Sequence, residues 1–243
     1  MIHPKVIIFM PAYNAEKTVG EVWEKIPWKY KKNTFLIDDH SKDNTYTIAK
    51  KLGITSYYNR SNLGYGGNLK MGLRKSLDTG ADIIVEMHPD NEYDPASIDP
   101  AIQTIMEKTG MILGNRINPV ATGMYLWKYI PTKLLTAFDN LILGTQLSDL
   151  HQGFRVYTRQ MLEIIPFEKN ANDYLFSFEI IAQTIFYGFT IQEVSVKTNY
   201  TGKKRGASLK NSIAYTLDTF SVLKQYILAK AGIAQKLFPP VAS

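Results

Sequence analysis

Over about the first 115 residues, short apolar runs of strand type alternate with stretches of helical periodicity. That alternation narrows the fold to a parallel sheet with right-handed crossover connections. Lys5 to Met10 is a buried-type strand that Pro11-Ala-Tyr-Asn ends, and a helix is predicted from about Glu16 to Ile26. Strand, tight loop and helix in that order open a mononucleotide-binding unit. Thr34 to Ile37 is a second strand, followed by Asp38-Asp39-His40-Ser41-Lys42-Asp43, where Ser41 or Asp43 is predicted to cap a helix running to about Leu52. Ile54 to Tyr58 is a third, then come Asn62-Leu-Gly-Tyr-Gly-Gly-Asn68 and a helix to about Leu77. A fourth strand opens the stretch Asp82 to Pro95, and Met111 to Leu113 is a fifth.

After Arg116 the alternation stops. Residues 122–146 are apolar at helical spacing, Ser148 to Arg155 is a polar loop leading into strand-like Val156-Tyr157, and 172–187 form another helix. Ile191 to Lys197 alternates and reads as a strand, and Leu209 to about Leu237 as an amphipathic helix. The predicted division is 1–117 as a nucleotide platform, 118–208 as the half that covers it, and 209–243 as a helical tail.

The chain of 243 residues has no cysteine, which excludes disulfides and thiol chemistry and is compatible with a cytoplasmic home. The N-terminal run lacks a small-residue cleavage site, so no signal peptide is expected, and no apolar stretch is long enough for a membrane span. From Tyr200 onward, Lys203, Lys204, Arg205, Lys210, Lys224, Lys230 and Lys236 stand against Asp218 alone, a surplus equal to the whole net charge of +6. Such a tail suits phosphates, an anionic membrane surface or nucleic acid, and a solvated helix face is the plain alternative.

The chemistry concentrates at the fourth strand. His88, Asp90, Asn91, Glu92 and Asp94 fall within seven positions, punctuated by Pro89 and Pro95. With Asp38 and Asp39 at a neighbouring strand end, these groups suit Mg²⁺ or Mn²⁺ held jointly with substrate phosphates at the carboxyl rim of an open sheet. Helix capping by Asp39, Ser41 and Asp43 is the alternative. Gly64-Tyr-Gly-Gly67 lacks the spacing of a dinucleotide fingerprint and instead lets the backbone turn tightly beside a ligand or a neighbouring helix. The absence of a Gly-Lys-Ser/Thr loop argues against an ATPase. Arg116, Asp149 and Arg155 form a third group near predicted loops.

The ordered set Pro11 to Glu16, Ile37 to Thr45, Asn62 to Asn68, Met87 to Pro95, Gly114-Asn-Arg116 and Asp149 to Arg155 resembles the family 2 inverting glycosyltransferases of the GT-A fold, including dolichyl-phosphate mannose synthases. The resemblance covers residues 5 to about 200. It implies a Rossmann-like, mostly parallel α/β sheet flanked by helices, with a helical C-terminal appendage. It also implies transfer of a hexose from a UDP- or GDP-linked donor to a polyprenyl phosphate or glycan, with no nucleic-acid partner. Pro11, Ala12 and Tyr13 would line the nucleoside pocket with Asp39 bonding the base, and the donor-binding set extends to Glu16, Asp38, Asn62, Gly64, Gly67, His88 and Asp90.

Asp90 stands where the family's metal-contacting Asp-x-Asp motif ends, while His88 replaces its first aspartate, and Ala15 stands where an acid is often found after the Asn of the first segment, leaving Glu16 to serve. Imidazole binds Mn²⁺ better than Mg²⁺, so the ion would be Mn²⁺ or hang mainly on Asp90. Arg116 and Arg155 would bind donor or acceptor phosphate. Asp149 would act as general base toward a hydroxyl or, for a phosphate acceptor that needs no base, orient the acceptor or position Arg155. Tyr200 to Ser208 resembles a phosphate-meeting basic loop, and the tail helix suits either a membrane interface or packing on the domain. The expected place is the cytoplasm, with contact at the inner membrane surface. A nucleotide-binding regulatory module on the same scaffold is the competing reading, motivated by His88; a nucleotidyltransferase ranks last, because Pro11-Ala-Tyr-Asn stands where a glycine-rich basic loop would be needed.

Overall fold

The computed structural model describes residues 4–107, 110–199 and 209–240. Strands β1 (Val6–Ala12), β2 (Thr34–Asp38), β3 (Thr55–Tyr58), β4 (Ile83–Glu86), β5 (Gly110–Arg116), β6 (Arg155–Thr158) and β7 (Thr190–Val196) form one sheet in the order β3-β2-β1-β4-β6-β5-β7. Helices α1 (Val19–Lys25), α2 (Trp28–Lys31), α3 (Thr45–Lys51), α4 (Tyr65–Asp78) and α5 (Ile98–Glu107) connect the strands of the first half. The second half carries α6 (Leu126–Leu143), α7 (Arg159–Ile164), α8 (Phe176–Phe186) and α9 (Leu209–Lys230). The strands pair in parallel except β6, which runs antiparallel between β4 and β5.

Side-chain alternation along β1 builds two cores. Ile7 and Phe9 face Phe35, Ile37 and Leu73 on one side, while Ile8 and Met10 face Leu36, Val22 and Ile102 on the other. Both faces of the central strands are buried, which is why β1 and β2 read as continuous apolar runs rather than alternating ones.

Four local expectations shift. β1 continues through Pro11 and Ala12, because the last β1–β4 pair is Phe9 with Glu86 and no ladder bond to β4 is asked of Pro11. Asn44 occupies the N-cap of α3; Asp43 Oδ1 accepts the Thr45 N–H at 3.0 Å, whereas Ser41 Oγ accepts that of Asn14 at 2.9 Å. The glycine stretch is the start of α4: Gly64 takes φ +81°, and a Cβ at Gly66 would lie 2.4 Å from the Ala171 carbonyl oxygen. These glycines admit the 171–173 backbone, so the neighbouring segment explains them. Finally, α9 ends at Lys230, Gly232 turns the chain at φ +83°, and Leu237 and Phe238 drop into the core beside Phe186 and Tyr226.

Parallel β2, β1 and β4 end along one rim. Antiparallel β6 begins at that rim, Arg155 opposite Glu86, so the loop before it arrives where the other strands finish.

Candidate active site

At the β1–β2 end of the rim, Tyr13 is 49% exposed above a buried floor of carboxylates. Asp38 closes β2 fully buried; its Oδ1 accepts the Ser41 N–H at 2.6 Å, and its Oδ2 has no partner. Burial holds this carboxyl above the usual aspartate range. Asp39 Oδ1 accepts from Asn59 Nδ2 at 2.9 Å and from the Leu63 N–H at 2.8 Å, while Asn62 Nδ2 donates to the Asp39 carbonyl at 3.0 Å. Asn62 therefore braces the loop that carries Asp39 to the start of α4. Glu16 Oε2 accepts from the Asn44 N–H and Nδ2 at 3.1 and 3.2 Å, which turns it toward the start of α3.

At the end of β4, Glu86 is fully buried and collects three groups: Tyr157 Oη donates to it at 2.6 Å, His88 Nε2 lies 2.8 Å away, and Arg155 Nη1 3.4 Å. Burial works against the Glu86 charge, but Arg155 and then His88 outweigh it and hold the carboxyl below its usual range. His88 shifts upward: desolvation opposes this, and the bond to Glu86 together with the negative charges of Glu86 and Asp90 outweighs it. The Tyr65 ring stacks on His88 at 5.6 Å and 10°. Asp39, Leu63, Gly64, Tyr65 and His88 thus form one continuous wall between the β2 and β4 ends. Asp90 is half-buried, its Oδ1 accepting the Glu92 N–H at 3.0 Å.

Arg155 departs from its expected role in a polar loop. It is the first residue of β6, 1% exposed, paired with Glu86 and donating to the Gln152 carbonyl. Its Nη1 and Nη2 are turned to these two partners inside the protein, while its buried Nε has no hydrogen-bond partner among the described residues.

On the β5 side, Arg116 Nε and Nη2 both donate to Asp149 Oδ2, and Asp149 Oδ1 accepts the His151 N–H at 3.0 Å. Asp149 positions Arg116 rather than Arg155, and both its oxygens are engaged. Lys133 of α6 donates to the Ser148 carbonyl at 2.7 Å. Arg116, Lys133, Asn115, Tyr129 and Asp149 line a cavity of about 160 Å³ in which cations outnumber acids. Behind it, His151 Nε2 meets buried Asp139 at 3.0 Å and its Nδ1 meets Tyr215 Oη at 3.0 Å, clipping α6 and α9 to the loop.

The rim thus carries buried carboxylates at one end and a cationic cavity at the other. The sequence model of Glycosyl transferase family 2 matches residues 7–165. The chain belongs to that family. The UDP-N-acetylglucosamine–dolichyl-phosphate N-acetylglucosaminyltransferase of Methanococcus voltae is 30% identical, over 81% of this chain and 86% of that protein. The polyprenol monophosphomannose synthase of Mycolicibacterium smegmatis is 24% identical, over 84% of this chain and 80% of that protein. Among solved structures, glucosyl-3-phosphoglycerate synthase from Mycobacterium tuberculosis in complex with uridine diphosphate superposes with a TM-score of 0.70. That match covers 96% of this chain and 82% of that one at 20% identity. The fold is GT-A, and the protein is a family 2 glycosyltransferase.

Within this glycosyltransferase, the topology brings Pro11, Ala12, Tyr13, Asp38, Asp39, His88 and Asp90 to one stretch of rim and Arg116 with Asp149 to the next. Arg155 and Glu16 are committed elsewhere, and Gly64 and Gly67 meet Asn172. Sequence reasoning missed Glu86, which looked like a strand end, Tyr65, and Lys133, whose helix reads as apolar. Tyr200 to Ser208 lies outside the described residues.

A divalent ion fits the donor set at Asp90. Among the described residues no group of three or more His, Asp, Glu or Cys is placed to hold a metal ion, so an ion at Asp90 would need ligands beyond these side chains. His88 Nε2 is turned to the Glu86 carboxylate. A ligating histidine is oriented by a carboxylate in the same way.

Proposed function

We propose that this glycosyltransferase moves a hexose, with inversion, from a UDP- or GDP-linked donor to a polyprenyl phosphate. The observation that carries the choice of acceptor is the state of Asp149. It is the acid lining the cationic cavity, and Arg116 and the His151 N–H take both its oxygens, so it is poorly placed to withdraw a proton. A phosphate oxygen is already anionic and needs no base. The names of the two relatives, one a dolichyl-phosphate and one a polyprenol enzyme, point the same way.

In this reading the phosphate rests against Arg116 and Lys133. One of its oxygens attacks the anomeric carbon as the bond from that carbon to the donor diphosphate breaks, releasing the nucleoside diphosphate. Asp38 Oδ2, buried and unpartnered, accepts a base N–H, a role the resemblance gave to Asp39, whose Oδ1 already takes two donors. Tyr13 covers the base. Asp90 and His88 Nδ1 would hold the divalent ion, which supplies charge neutralisation at the leaving diphosphate.

The test is nucleoside diphosphate release from a panel of UDP- and GDP-hexoses with Mn²⁺ or Mg²⁺, comparing a short polyprenyl phosphate with the matching alcohol. Release with the phosphate and none with the alcohol is expected. Equal turnover with the alcohol would remove the acceptor assignment, and no release from any donor would remove the activity.

A further inference from the structure

We infer that the outer face of α6 docks on an anionic lipid bilayer and sets the cationic cavity at its surface. The inference rests on the lipid-phosphate reading above and names the surface that would serve it.

The helix is inside-out. Leu126, Trp127, Ile130, Leu134, Phe138 and Leu141 recur at helical spacing and are exposed, from 43% at Phe138 to 77% at Leu141. Its polar Thr136 and Asp139 are buried instead. A helix on a water-facing surface shows the opposite pattern. The apolar area continues onto α9, where Phe220 packs edge-on against Phe138 at 5.3 Å and Leu217 is exposed. Contiguous apolar patches beyond a few hundred Å² mark contact surfaces.

Three observations select a bilayer as the occupant. The exposed described residues of α6 include a cation, Lys133, and no acid, on a chain of net charge +6. Tyr125 and Trp127 stack at 6.4 Å at the start of the helix, an aromatic pair of the kind that sits at headgroup level. The same helix lines the cavity through Tyr129, Thr132 and Lys133, so contact along its apolar side brings the cavity to the lipid headgroups. No described helix is long and apolar enough to cross a membrane, so attachment here is in the interface plane.

The experiment is flotation of the full chain with phosphatidylcholine vesicles, with and without phosphatidylglycerol, alongside thermal unfolding with and without UDP and Mn²⁺. The protein should float with the anionic vesicles. Leu134→Asp with Leu141→Asp should lower the bound fraction more than about tenfold, and the milder pair Leu134→Ser and Leu141→Ser should lower it in the same direction. Melting temperature and the UDP shift should stay unchanged in both. Three outcomes overturn the inference: no flotation of the native chain, equal flotation of the variants, or a native dimer that the same variants split. The UDP shift reads the sugar-transfer proposal separately, so flotation failing while the shift persists removes the docking face alone.

Discussion

The two ends of the rim handle negative charge in opposite ways. At the β1–β2 end, Asp38 and Asp39 accept from the neutral donors of Ser41, Asn59 and Leu63, and one oxygen of Asp38 has no partner. At the β4–β6–β5 end, Glu86 is paired with Arg155, Asp149 with Arg116 and Asp139 with His151. The first arrangement leaves acceptor capacity for the N–H and O–H groups of a nucleoside. The second spends the acids on holding Arg155, Arg116 and His151 in fixed orientations, as the proposed phosphate-binding role would require.

The largest effect that would break this contrast lies in the paired region. Arg155→Met leaves Glu86 buried without its guanidinium partner and should cost about 3–5 kcal/mol in urea unfolding. A loss below about 1 kcal/mol would show that the pair behaves as a surface one. At the other end, Asp39→Ala strands the Leu63 N–H and leaves Asn59 Nδ2 only its bond to Asn68, and should cost about 1–3 kcal/mol, together with the UDP-induced thermal shift. Retention of the full shift would take Asp39 out of the donor site.

The smallest effect is a pair of pH trends of opposite sign. Asp38 has a raised carboxyl value, so the native chain should lose stability relative to Asp38→Asn as pH rises from the ordinary aspartate range through the raised value. Glu86 has a lowered value, so its contribution relative to Glu86→Gln is present above the ordinary glutamate range and disappears as pH falls through the lowered value. Melting temperatures of the three proteins against pH read both trends, and parallel slopes would erase the distinction.

Much of the frame was legible because buried parallel strands leave short apolar runs and their ends carry the polar motifs: Asp38, Asp39, His88 and Asp90 could be placed on one rim from order alone. What stayed hidden depends on partners distant in the chain. Arg155 looked like a loop cation because Glu86, its partner, lies 69 positions away and β6, the strand that Arg155 opens, runs backward. Asp149 looked like a base because Arg116, 33 positions earlier, was read as an independent phosphate ligand. The apolar spacing of α6 was legible as a helix, but periodicity cannot say whether the apolar side faces in or out, and here it faces out.

The reversed direction of β6 has one more consequence. Residues 117–154 leave the sheet at Arg116 and rejoin it at Arg155, on strands that are hydrogen-bonded neighbours, with Leu113 opposite Arg155. Both ends of this excursion are therefore anchored side by side, and it carries Lys133, Asp149 and the whole of α6 without touching the strand order that presents Asp38, Asp39 and Asp90. It behaves as a cassette: its length and sequence can vary between its two anchors without disturbing the strand order that presents Asp38, Asp39 and Asp90.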